Sequence, residues 1–189
     1  MENKDYMDVV EDVTLIKLDS KMLETLGLGG VFTLTHKDKN GKILSVTKHR
    51  NLITNEGKDY ILDAALHGAT NVADWYFAIF TSGSAAAGNT YATPNRTEAT
   101  TTVNESTRPA WGEGASSGQS VTNASAATVT ANGSLAVTGI GVVGSPSADG
   151  DADTKGDTAC ADCVLLSDVD VAKTLATTET LDITYAINA

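Results

Sequence analysis

Two cysteines and three histidines are the residues of this chain best suited to bind a metal or to do redox chemistry. Cys160 and Cys163 form an isolated C-x-x-C pair, and His36, His49 and His67 lie far from it in the sequence. A structural zinc ion needs four ligands, and a redox-active pair begins a helix within a βαβ pattern. We therefore interpret the cysteines as two free thiols at the start of a strand. A local disulfide and a metal site shared between subunits are the alternatives.

Two glycine motifs match enzyme patterns but lack the context that those patterns need. Residues 139–144 read G-x-G-x-x-G, yet Ser145-Pro146 and an acidic stretch follow instead of a helix that could meet a dinucleotide. Residues 114–118 read G-x-S-x-G, yet no histidine follows His67 to accept a proton from a serine nucleophile. We expect the first glycines to let a strand bend or pack closely, and the second to belong to a loop.

Three aspartates of the acidic loop 149–157 have the alternating spacing of a calcium-binding loop. Asp149, Asp151 and Asp153 fit that spacing, but Thr154 and Cys160 stand where the EF-hand loop has its glycine and its last glutamate. The sequence predicts a solvated acidic loop, with a calcium site of another kind as the alternative. Since no paired carboxylates and no catalytic triad emerge, we expect a protein that is not an enzyme and uses no cofactor.

The net charge of the chain argues against two classes of partner, and its composition favours strands and turns. The chain has 189 residues, a net charge of −11 and a pI near 4.5. Nucleic acids and anionic membranes attract clustered Lys and Arg, so neither is an expected partner. The polar N-terminus lacks the apolar stretch of a secretory signal, which predicts synthesis in a cytoplasm. Abundant Thr and Val favour strands, and abundant Ser, Gly and Asn favour the turns between them.

The predicted elements are short strands and one helix. A hairpin joins residues 31–36 to residues 42–49 through Asn40-Gly41, a pair typical of turns in which both residues have positive φ. A helix begins at Thr54 or Asn55 and ends before Gly68, and its apolar stripe should pack on a sheet. That stripe consists of Ile61, Leu62, Ala65 and Leu66.

Further strands are predicted on both sides of a long polar loop, residues 82–118. Residues 74–81 are apolar on both faces, which indicates a strand in the centre of the core. The other predicted strands are residues 119–122, 128–131, 135–143, 163–166 and 180–187. The fold class that follows is all-β with one short helix, a β-sandwich or jelly roll over residues 30–189. Residues 1–29 form a separate N-terminal arm in this interpretation.

Several segments resemble a family of small virion proteins of tailed bacteriophages. The resemblance runs from about residue 31 to the C-terminus, but residues 1–29 and the loop 145–163 match poorly, and no role is transferred to them. The matching segments are Asn51-Leu52-Ile53-Thr54-Asn55-Glu56-Gly57, Tyr60-Ile61-Leu62-Asp63, His67-Gly68-Ala69-Thr70, Asp74-Trp75-Tyr76-Phe77, Glu105-Ser106-Thr107-Arg108-Pro109-Ala110-Trp111, Gln119-Ser120-Val121-Thr122-Asn123 and Thr180-Leu181-Asp182-Ile183-Thr184-Tyr185-Ala186-Ile187.

The resemblance implies a structural component of the virion, either a head decoration (cement) protein or a tail-associated protein. We expect the first: a trimer on the outer surface of the phage head, made in the host cytoplasm, that binds subunits of the major capsid protein and stabilises the shell. A tail or fibre component is the alternative. A carbohydrate-binding or calcium-binding module at the host-contact surface is a third hypothesis, of a different class.

Six apolar residues outside the predicted sandwich are the candidates for contact with a partner. An apolar side chain that the sandwich does not bury needs another surface to cover it, and Trp and Tyr often anchor interfaces. Packing within the chain itself is the alternative for each. The candidates are Val9, Val10, Leu15, Ile16, Tyr91 and Trp111.

Overall fold

The computed structural model describes residues 28–146 and 151–188, which form a sandwich of two antiparallel β-sheets. The predicted all-β sandwich with one short helix is confirmed. The strands are β1 (Gly29–Lys37), β2 (Ile43–Arg50), β3 (Leu52–Ile53), β4 (Trp75–Ser82), β5 (Thr97–Glu98), β6 (Ser120–Thr122), β7 (Ala127–Thr130), β8 (Leu135–Gly144), β9 (Val164–Leu175) and β10 (Thr180–Asn188). The helix α1 (Asn55–Leu62) continues as a π-helical turn, Asp63–His67, and a 3₁₀ turn spans Asp151–Asp153.

The two sheets have different strand orders. The first runs β2-β1-β10-β6, and β7 also pairs with β10; the second runs β3-β9-β8-β4-β5. The last strand thus lies inside the first sheet, with Phe32 of β1 opposite Tyr185 of β10. In the second sheet Ile140 of β8 lies opposite both Ile79 of β4 and Val169 of β9. Every one of these strand pairs is antiparallel.

The main core lies between the facing surfaces of the two sheets. The predicted alternation of the last strand is confirmed, because Leu181, Ile183 and Tyr185 are fully buried while the residues between them are not. The ring of Tyr185 stacks on Phe32 with centroids 4.3 Å apart. Other fully buried members of this core are Leu34, Phe77, Leu135, Ile140, Val142 and Leu175.

A second, smaller core covers the outer face of the second sheet. Ala78, Phe80 and Leu165 point to this face, where Tyr91 and Ala152 from the connecting loops pack over them. Burial on both faces explains why the sequence of β4 is apolar without alternation, as predicted for a central strand. The connecting loops therefore belong to the folded body as much as the strands do.

Strand β9 extends well beyond the predicted strand, residues 163–166, and reaches Leu175. The sequence prediction stopped too early because Ser167, Asp168 and Asp170 break the apolar pattern. Asp168 is nevertheless fully buried, since side chains from the long loop bind its carboxylate.

Both predicted ends of the helix are confirmed, but of its predicted packing stripe only Ile61 packs against the main core. Thr54 Oγ1 accepts a hydrogen bond from the amide of Gly57 at 2.9 Å, and Gly68 ends the helical region with φ 75°. The contact face centres on Gly57, where a Cβ would lie 2.2 Å from the carbonyl oxygen of Leu166. The stripe of Leu62, Ala65 and Leu66 is exposed instead, because this close backbone contact turns it away from the sheet.

The predicted β1–β2 hairpin is confirmed with a different turn. The amide of Gly41 donates to the carbonyl of Asp38 at 2.9 Å, and of the turn residues only Gly41 has positive φ, 82°. Asn40 therefore does not adopt the expected conformation. The loop is a three-residue connection in which a glycine follows the turn, and the carboxylate of Asp38 accepts from the amides of Asn40 and Lys42.

The glycines of β8 allow close packing, as predicted, and do not form a nucleotide-binding turn. A Cβ on Gly139 would lie 2.1 Å from the guanidinium of Arg96, and one on Gly144 would lie 2.6 Å from the ring of Trp75. Both glycines lie in the ten-residue strand β8, whose pairing with β9 shifts register directly before Gly139.

Candidate assembly surfaces

Strand β2 presents an exposed apolar edge. It pairs only with β1 among the described residues, and it is the long edge strand of the first sheet. Ile43, Leu44 and Val46 expose 56%, 48% and 54% of their surface. Proteins usually protect such an edge with short strands, bulges or charges, because its unpaired amides and carbonyls can bind another strand. We refer to Ile43–Arg50 with its open side as the β2 edge.

Two side-chain contacts from β1 hold the β1–β2 hairpin against the rest of the sandwich. His36 Nε2 lies 2.9 Å from Glu179 Oε2, and the ammonium of Lys37 contacts the carboxylate of Asp182 on the neighbouring strand β10.

The inner side of β2 is fixed as well, through Lys173 Nζ, which donates to Ser45 Oγ at 3.0 Å. Burial, and then the positive charge of Lys173, lowers the pKa of His49 on the same side of β2. His49 is therefore neutral near pH 7, and the charge of the strand comes from its lysine and arginine.

The hairpin is basic in a chain that is otherwise strongly acidic. Residues 37–50 hold five of the 13 Lys and Arg residues of the chain and a single acidic residue, Asp38, which gives a local net charge of +4. Lys42, Lys48 and Arg50 are exposed along the strand. The β2 edge thus combines apolar side chains with positive charge.

The end of the helix forms a second apolar surface, made of Leu62 and Leu66. These side chains expose 39% and 81% of their surface. The helix contacts β9 at Leu166, whereas the hairpin contacts β9 at Lys173. At about 3.3 Å per strand residue, these two contact points on β9 are roughly 20 Å apart.

Tyr91 and Trp111, predicted as partner contacts, are buried within this chain, each with 3% of its surface exposed. Trp111 lies beside β4, and its indole Nε1 donates to the carbonyl of Tyr185 at 3.1 Å. Tyr91 packs in the second core. Packing inside the chain, the alternative in each case, replaces the predicted contact role, because the long loop folds onto the sheet. Val9, Val10, Leu15 and Ile16 lie outside the described residues.

Arg108 fixes the acidic loop to the second core. Its guanidinium binds Glu98 through two hydrogen bonds of 2.9 and 2.7 Å. It also donates to the hydroxyl of Tyr91 and to the carbonyls of Ala152 and Asp157. Burial opposes the charge of Arg108, but the bonds to Glu98 hold the pKa of Arg108 above its ordinary value. Burial also raises the pKa of Tyr91 to about 12.

Arg96 makes a parallel buried network. Its Nε donates to Asp168 Oδ2 at 3.0 Å, Asn89 Nδ2 donates to the same oxygen at 2.9 Å, and its Nη2 contacts Asp170 at 2.5 Å. Arg96 and Asp168 have fully buried side chains. Burial raises the pKa of Asp168, although Asn89 and Arg96 favour its charged form.

The sequence analysis missed both arginines, although one signal marked them. Arg96 and Arg108 are the only Lys or Arg residues between Lys58 and Lys155. Two isolated cations in such a long polar stretch can pair with buried carboxylates that need them.

A small cavity lies between the two arginines, next to Phe80, Pro94 and Leu165. Its volume is about 70 Å³, whereas pockets for drug-sized ligands measure roughly 300–1,000 Å³. This cavity is therefore too small to enclose a drug-sized ligand.

Cys160 and Cys163 form a disulfide, so the interpretation of two free thiols is wrong and the alternative of a local disulfide holds. Cys163 packs in the second core, and Asp157 accepts a hydrogen bond from the amide of Cys160 at 3.3 Å. The disulfide thus closes the loop that Arg108 fixes at its other end.

In residues 28–146 and 151–188, no three or more His, Cys, Asp or Glu side chains are grouped so that they could hold a metal ion. Within the same residues, no helix is both long and apolar enough to cross a bilayer. Asp149 of the predicted acidic loop lies outside the described residues.

Comparisons of this chain with models of known protein families, with curated proteins and with solved structures found no significant match.

Proposed function

We propose that the protein is a capsid cement protein, a virion component that binds the outer surface of a bacteriophage head and links neighbouring subunits of the major capsid protein. The observation that carries the proposal is the pair of exposed apolar surfaces, the β2 edge and the Leu62–Leu66 surface. Exposed apolar surfaces of this kind are typical of proteins that bind other subunits.

The stiffness of the body supports the same proposal. A link stabilises a shell only if it does not deform under load, and this sandwich is braced by two buried arginine networks and a disulfide. Weak contacts at each copy gain strength when they are repeated around a symmetric shell. The acidic net charge of −11 also prevents adhesion to the packaged DNA. The sequence resemblance to small virion proteins of tailed phages points in the same direction.

The test uses purified phage particles that carry this chain. Quantitative mass spectrometry against the major capsid protein should find hundreds of copies per particle, and electron microscopy should locate them on the head. A handful of copies on the tail would contradict the proposal and favour a tail or fibre component.

A matched pair of variants tests the Leu62–Leu66 surface directly. Leu66→Glu should weaken rebinding to particles that lack the protein by at least tenfold, because it places a charge in the contact surface. Ala69→Glu adds the same charge at an exposed site just beyond the helix and should bind normally. Melting should be unchanged in both, and equal binding of the two variants would remove this surface from the proposal.

Binding of host glycans, or melting that depends on calcium, would instead favour the module at the host-contact surface. In the part of the chain that the structure describes, Asp157 already binds the hydroxyl of Tyr91 and the amides of Ala159 and Cys160. This use of its carboxylate leaves little capacity for a cation, which supports the cement proposal over a calcium site.

A further inference from the structure

The β2 edge needs an occupant, because three exposed apolar side chains belong to a strand of eight residues that is paired on one side only. The other edge strands of the described sandwich are shorter: β3 and β5 have two residues each, β6 has three and β7 has four. A short edge strand offers few free amides and carbonyls, whereas a long edge strand can pair with an additional strand. The chemistry of the edge specifies the occupant: an extended segment that is apolar and acidic.

The chain itself contains such a segment before β1. Residues 1–27 hold seven acidic and three basic side chains, a net charge of −4, opposite in sign to the +4 of residues 37–50. Within them, Val9, Val10, Val13, Leu15 and Ile16 supply the apolar side chains, and the run from Val13 to Leu18 is rich in strand-forming residues.

The connection to β1 is long enough for this pairing. Ten residues, 19–28, separate Leu18 from the first residue of β1, and an extended chain of that length spans at most about 33–36 Å. The β2 edge is roughly 26 Å long at about 3.3 Å per residue. Since Val31 pairs with Arg50, the chain enters β1 beside one end of β2, and the segment reaches the edge of its own or an adjacent copy.

We infer that residues 9–18 of this chain bind the β2 edge as an additional strand, with Val13 and Leu15, two residues apart and so on one face, beside Leu44 and Val46. The basic residues Lys42, Lys48 and Arg50 attract the acidic segment and set its direction. The pairing satisfies the free amides and carbonyls of β2. It goes beyond the cement proposal, because a β2 edge occupied by this segment is closed to the capsid protein, and the Leu62–Leu66 surface then carries the capsid contact.

Hydrogen exchange on the full-length protein tests the inference. About half of the β2 amides point away from β1, because neighbouring residues of a strand bond to opposite sides. These amides should exchange at least tenfold more slowly in the wild type than in Leu15→Pro, since proline removes a donor and blocks the ladder. Asn3→Pro, outside the segment, is the matched control and should exchange like the wild type.

A peptide of residues 8–19 added to the Leu15→Pro protein should restore the protection, and the effect should weaken as salt screens the charges. Sedimentation shows whether the segment comes from the same copy or from a neighbour, and either result fits the inference. Equal exchange in wild type, Leu15→Pro and Asn3→Pro would overturn it, because the edge would then be free or covered by another strand, such as β2 of a second copy.

Discussion

Replacing Arg108 by methionine should strongly destabilise the fold. The substitution keeps an apolar side chain of similar length but removes both hydrogen bonds to Glu98, whose side chain is 7% exposed. It also leaves the hydroxyl of Tyr91 and the carbonyls of Ala152 and Asp157 without the donor they have now. The main cost is a buried carboxylate without its counter-charge.

The expected magnitude follows from the burial of the pair. Breaking a buried ion pair by removing one partner costs about 3–5 kcal/mol, a large part of the roughly 5–15 kcal/mol that stabilises a domain. For a domain of this size each kcal/mol lowers the melting temperature by about 2–4 °C, so the fall should be about 6–20 °C. The double variant Arg108→Met/Glu98→Gln should recover part of this loss, because the carboxylate charge is gone while an oxygen for the Gly156 amide remains.

Calorimetry and denaturant titration of the three proteins measure these differences. Lys39→Met, which removes an exposed cation from the turn before β2, is the control and should change stability by no more than about 0.5 kcal/mol. The reasoning fails if Arg108→Met melts within about 2 °C of the wild type. It also fails if adding Glu98→Gln lowers the stability of the Arg108→Met protein further, since the unpaired carboxylate would then not be the source of the loss.

Three more predictions concern stability. Gly57→Ala should lower the free energy of unfolding by about 1–3 kcal/mol in a denaturant titration, because its Cβ would lie 2.2 Å from the Leu166 oxygen. Gly88→Ala, with open space around it, is the control and should leave that free energy unchanged. Cys160→Ser/Cys163→Ser should lose no more than about 2 kcal/mol, since a four-residue loop confines the unfolded chain only weakly, and a larger loss would mean that the disulfide positions the second core. Burial raises the pKa of Tyr91 and Tyr185 to about 12 from 10.0, so stability should be unaffected below pH 10 and fall between pH 10 and 12 as the unfolded chain releases these protons. Site-specific NMR, which separates these two from the other three tyrosines of the chain, checks this, and ionisation of Tyr91 or Tyr185 before unfolding would contradict it.

Local patterns predicted the strands well where each strand alternates or is uniformly apolar. The last strand was predicted to within a residue because Leu181, Ile183 and Tyr185 repeat at a period of two. The helix ends were also predicted, since Thr54 and Gly68 act through bonds to their own neighbours. Such signals are contained within a few residues, so a single sequence is sufficient to detect them.

Features that depend on distant residues were missed. The second half of β9 was not predicted, because the burial of Asp168 depends on Arg96, 72 residues earlier in the chain. Tyr91 and Trp111 were assigned to a partner because nothing local shows that Arg108 fixes their loop over the sheet. The exposure of Leu66 was missed for a related reason, since a contact between Gly57 and a remote strand sets the orientation of the helix.

The position of β10 has a consequence for biosynthesis. This strand is synthesised after β1, β6 and β7, yet it lies in the interior of the first sheet, where all three pair with it. Until residues 180–188 have left the ribosome, those three strands lack their common neighbour and the first sheet cannot close. Long-range pairing of this kind makes folding slow. A premature stop before Thr180 would leave unpaired strands, a substrate for proteases and a source of aggregates, rather than a shortened but usable protein.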